Sequence, residues 1–74
     1  MSSVSFAEAK SLVLARLRQW LQELPEAERR RPRLVIEFKP MSVLSLIVEV
    51  EMETELGLKY IYDTIKRLGY IIEE

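Results

Sequence analysis

The chain has no cysteine and no histidine among its 74 residues. Disulfide staples are therefore excluded, and so are the zinc sites built on thiolate and imidazole. A serine nucleophile would have no imidazole base. Only two glycines are present, Gly57 and Gly69, so neither a dinucleotide-binding glycine motif nor a phosphate loop can be assembled. No apolar run approaches the roughly 20 residues that span a bilayer. Eleven basic residues against twelve acidic ones leave a net charge of −1, with no overall basic field to draw in nucleic acid. Met1-Ser2-Ser3-Val4-Ser5 lacks a positive leader and runs into a charged helical stretch, so no signal peptide is read and the cytoplasm is the expected location.

Apolar residues make up 49% of the chain, enough for one small globular domain spanning 1–74. A core of this size typically nets only about 3–5 kcal/mol. With disulfides and zinc removed, oligomerisation is the expected reinforcement.

Ser5-Phe6-Ala7-Glu8 has the form of a capping box, with Val4 before it as half of a hydrophobic staple. Phe6, Ala9, Val13, Leu17, Trp20, Leu21 and Leu24 then recur at helical spacing. Trp20 on this stripe reads as core. Pro25 ends the helix near Leu24. Residues 25–32 are a polar connector with a proline at each end.

Residues 33–39 alternate, with Leu34, Ile36 and Phe38 on one side. Residues 43–53 also alternate, and their period of two predicts a long central strand. A three-residue loop at 40–42 would pair Leu34 with Val48, Ile36 with Leu46 and Phe38 with Leu44. The same register sets Arg33 against Glu49, Arg31 against Glu51 and Val35 against Ile47. Thr54 caps a second helix whose stripe is Leu58, Ile61, Tyr62, Ile65 and Leu68. Gly69 follows as a natural C-terminal cap, and residues 70–74 read as a short last strand.

The expected order is α-β-β-α-β, a two-layer α+β sandwich with two helices on one face of a mainly antiparallel three-stranded sheet. This order resembles a ferredoxin-like domain that lacks its first strand or keeps a stub of it at Ser2–Val4. The Leu68-Gly69-Tyr70 junction is similar to the last helix-to-strand turn of small metal-chaperone domains of that fold. Their Cys-x-x-Cys loop is absent, so the resemblance implies no copper or zinc activity and no cofactor.

Four clusters carry the functional expectations. On the uncovered sheet face, Val35, Val43 and Ile47 with Ser45 would form an apolar island rimmed by charge, which is interface anatomy. Arg29, Arg30, Arg31 and Arg33 suit phosphate and are the candidate nucleic-acid contact. Glu49, Glu51, Glu53 and Glu55 are candidate ligands for a hard cation, though no loop completes a shell and a solvated strand face is the simpler account. Tyr60, Tyr62, Asp63 and Arg67 cluster on the second helix without a group to activate a tyrosine, so packing and an ion pair account for them. The function expected is a non-catalytic interaction or regulatory module that self-associates through its sheet, first as a dimer, or takes a strand from a peptide partner. The alternative is a nucleic-acid-binding module using the arginine run.

Overall fold

The computed structural model describes residues 2–73. The order is β1 (Ser2–Ser5), α1 (Phe6–Glu23), a 3-10 turn (Glu26–Glu28), β2 (Leu34–Ile36), β3 (Lys39–Met41), α2 (Val43–Glu51), α3 (Glu55–Arg67) and β4 (Tyr70–Glu73). The chain is a small α+β fold. Its strands form two separate two-stranded sheets in place of one three-stranded sheet.

The capping box forms as the sequence predicts. The Glu8 amide donates to Ser5 Oγ, and Glu8 Oε1 accepts from the Ser5 amide, both at 3.1 Å. These two amide bonds use donors that the first helical turn would otherwise leave unpaired. Helix α1 ends at Leu24 before Pro25.

Residues 43–51 correct the expectation of a long central strand: they are helix α2. The run is apolar on nearly every side, so it satisfies a period of two and a helical period together. Val43, Leu46, Ile47 and Val50 are spaced for one helical face, and all four are buried. Ser42 supplies the start signal, its Oγ accepting from the Ser45 amide at 3.1 Å. Burial of the 43/46/47/50 face outweighs the strand preference of valine and isoleucine, as tertiary context commonly does.

The hairpin register changes with it. Strand β2 pairs antiparallel with β3, Leu34 opposite Met41, Val35 opposite Pro40 and Ile36 opposite Lys39. The connecting turn is Glu37-Phe38, so Phe38 is a turn residue and has no strand partner. The pairing of Arg33 with Glu49 and of Val35 with Ile47 does not form.

The first and last of the described strands pair in the other sheet. Strand β1 runs parallel to β4, with Ser2 beside Tyr70 and Val4 beside Ile72. The first strand is thus present as a short element, but it is not part of a ferredoxin-like sheet. The core lies among the three helices and is built from Ala9, Val13, Leu17, Leu46, Val50, Ile61 and Ile65, with Val4, Trp20, Tyr70 and Ile72 packed against it.

Helices α2 and α3 approach closely at Gly57. A Cβ there would lie 2.0 Å from the Glu49 carbonyl oxygen and 2.9 Å from the Val50 nitrogen. Only glycine admits this crossing. Glu49 O also accepts from the Thr54 amide at 3.2 Å, and Thr54 Oγ1 donates to Glu49 Oε1 at 2.7 Å. Thr54 Oγ1 in turn caps α3 by accepting from the Gly57 amide.

Candidate interaction site

The sheet face expected to mediate contact is not formed, because three of its four residues lie on α2. Val43 and Ile47 are buried in the core, Ser45 is exposed in the first turn of α2, and Val35 stands apart on the hairpin at 73% exposure. Helical geometry turns Val43 and Ile47 inward with Leu46 and Val50, and so removes the apolar island.

Apolar exposure is concentrated instead at the hairpin. Phe38 is 99% exposed. It occupies the second turn position with φ +66°, after Glu37 at φ +51°. Two-residue hairpin turns with positive φ at both central positions normally use asparagine, aspartate or glycine. A bulky residue in the left-handed region costs about 1–2 kcal/mol through contact of its Cβ with the following carbonyl. The turn therefore carries strain that buys no burial.

The tip is held in place. Lys59 Nζ on α3 donates to Glu37 Oε1. That hydrogen bond, followed by the charge of Glu37, holds the Lys59 ammonium above its usual range. Leu34 and Ile36 are partly buried and packed against the core, while Val35 and Pro40, opposite one another, face outward. The hairpin thus has an anchored inner face, an apolar outer face and an aromatic tip.

The arginine run is largely engaged within the molecule. Arg29 Nε donates to the Leu24 carbonyl at 3.3 Å. Arg31 and Arg33 both reach Glu28, at 3.9 and 3.3 Å. Arg29 and Arg30 line one hollow with Glu26. Arg30 lines a shallow pocket with Lys39, Ser42 and Glu49, where the glutamate opposes an anion.

The acidic residues are dispersed as well. Glu49 accepts from Thr54, Glu51 lies 3.6 Å from Arg18, and Glu53 lies 2.6 Å from Lys10. Among the described residues no group of three acidic side chains is arranged to hold a metal ion. On α3, Tyr60 is partly buried against the core while Tyr62 is 40% exposed and its ring lies 6.1 Å from that of Phe6. The different faces of the two tyrosines give them these different environments.

The hairpin tip is the feature that sequence reasoning missed. Glu37-Phe38 carries no turn signature, and an aromatic in an alternating stretch reads as strand interior. Only the true register, set by α2 beginning at Val43, exposes it.

No protein-family model matches this chain, and the comparisons with curated proteins and with solved structures return no match. Among the described residues no helix is long and apolar enough to cross a membrane.

Proposed function

We propose that this chain is a small non-catalytic interaction module, expected in the cytoplasm, whose β2–β3 hairpin presents Phe38 to a partner protein. The observation that carries this reading is the fully exposed phenylalanine in a strained turn. An apolar side chain in water at a backbone position that disfavours it contributes nothing to the isolated fold. Backbone strain of this kind clusters at ligand clamps and binding loops, and aromatic side chains are the common anchors of protein interfaces. Exposed Val35 and Pro40 extend the contact along the outer face of the hairpin.

The experiment is site-specific photocrosslinking in producing cells. A photoreactive phenylalanine analogue at position 38 is expected to give a discrete protein adduct, and the same probe at exposed Gln19 is expected not to. A Phe38→Ser variant of the purified chain should then lose affinity for the identified partner. Equal adduct patterns from positions 38 and 19 would sink the proposal.

A further inference from the structure

Strand β4 has an unused side. In the β1–β4 ribbon each strand has a neighbour on one side only, so the alternate amides and carbonyls on the outer side have no ladder partner among the described residues. Two-stranded sheets are marginal, and parallel pairs are slightly weaker per residue than antiparallel ones. The two open edges are unequal. Strand β1 is three serines and a valine, whereas β4 is Tyr70-Ile71-Ile72-Glu73, rich in the types that favour strands.

The open edge of β4 also has a floor. A groove of about 280 Å³ is lined by Tyr62, Ile65 and Lys66 of α3 and by Tyr70, Ile71 and Ile72. No residue of β1 contributes, which places the groove on the free side of β4. A strand edge beside a helix is the arrangement that accepts an extended peptide by strand addition: backbone bonds supply affinity, and side-chain hollows on alternate positions supply selectivity.

The selectivity can be read from the groove. After the Gly69 turn, β4 doubles back along α3, so Lys66 and Ile65 lie toward Tyr70, and Tyr62 lies toward Ile72. On an added strand, the side chain opposite Ile72 would face Tyr62, and the side chain opposite Tyr70 would face Lys66. Lys66 has no ion-pair partner among the described residues. We infer that the free edge of β4 binds an extended segment of a partner protein carrying an apolar residue opposite Ile72 and an acidic residue opposite Tyr70.

A second copy fits this edge less well. Antiparallel pairing of β4 with its equivalent about a two-fold axis keeps both helical layers on one side of the shared sheet. Both α3 helices would then converge beneath the shared edge, with strands about 4.8 Å apart but helix axes needing about 8–10 Å. A strand that brings no helix of its own meets no such conflict.

The inference rests on the reading of the chain as an interaction module and names the partner's chemistry, but it uses residues other than Phe38. The test is a selection of short linear peptides displayed on phage against the intact purified chain. Selected peptides are expected to share an apolar residue and an acidic residue two positions apart. On binding, alternate amides within 70–73 should become protected from hydrogen exchange. Lys66→Glu should weaken the selected peptide by about tenfold, and selection against that variant should shift the acidic position to a basic one. Phe38→Ser should leave peptide affinity unchanged, so failure of the hairpin reading and failure of this one are told apart. No enriched peptide, protection confined to 34–41, or no response to Lys66→Glu would overturn the inference. So would a disulfide-linked dimer formed efficiently by Ile71→Cys, which would assign the edge to a second copy.

Discussion

Two residues, Phe38 and Gly57, are each poorly suited to their local backbone, for opposite reasons. Phe38 holds a positive φ without burial, so Phe38→Gly should relieve strain and raise stability by about 1 kcal/mol, read from the urea midpoint. A lower midpoint would show that the aromatic ring stabilises the free fold. Gly57 sits in a helix, where alanine is ordinarily better by about 1 kcal/mol. Here the methyl of Gly57→Ala meets backbone atoms of Glu49 and Val50, which cannot rotate aside. The substitution should destabilise by about 1–3 kcal/mol, the usual range for overpacking, and a neutral result would mean that α2 and α3 can separate freely. At the chain start, the Ser5 amide and then the Ser5 hydroxyl hold the Glu8 carboxyl below its ordinary 4.5. A depressed folded value means that this stabilisation is complete above the unfolded pKa and fades as pH falls through the lower folded value. Glu8→Gln should therefore reduce stability at neutral pH and narrow the difference from wild type under acid, as paired urea titrations would show.

The elements differ in how much of them the sequence revealed. Helix α1 was legible because its capping box, apolar stripe and terminal proline agree. Helix α3 was legible from Thr54, its stripe and Gly69, whose φ of +89° is the left-handed cap expected there. Helix α2 was hidden because Leu44 and Val48 add apolar side chains beyond the buried 43/46/47/50 face, making the run fit both periods. Ser42 was the overlooked sign, since a serine ahead of an apolar run is also a helix start. That error placed the hairpin turn at 40–42 in place of 37–38 and carried the expected interface residues with it. If the cap decides the element, Ser42→Ala should cost about 1 kcal/mol and increase exchange of the amides of the first turn of α2. Loss of stability without faster exchange there would place the role of Ser42 elsewhere. Of the candidate site nothing was legible, because the expected sheet face lay on a strand at 43–53 that is helix α2, and burial of side chains on α2 depends on contacts with α1 and α3 that no local pattern displays.

At the scale of the whole molecule, three helices make the core and the two ribbons are attached to it. The terminal ribbon joins residues separated by almost the full chain, as Ser2 beside Tyr70 shows. Removing residues 70–73 should therefore release β1 as well, and the amides of Ser3 and Val4 should lose protection together with the Ile65 side of the core. Thermal denaturation of the truncated chain should show a lower midpoint, while the helical signal persists. Retained protection at Val4 would mean that β1 is held by α1 alone.

That pairing also sets the order in which β1 and the helices can settle during synthesis. Strand β1 has to wait, unpaired, until β4 has been made, because among the described residues no other segment offers it a ladder. The helical bundle can gather earlier, since its contacts are nearer in sequence and such contacts form sooner. The peptide-binding edge proposed for β4 comes into being only when that pairing closes, so a nascent chain or one clipped ahead of β4 could fold its core and still be unable to recognise a partner there.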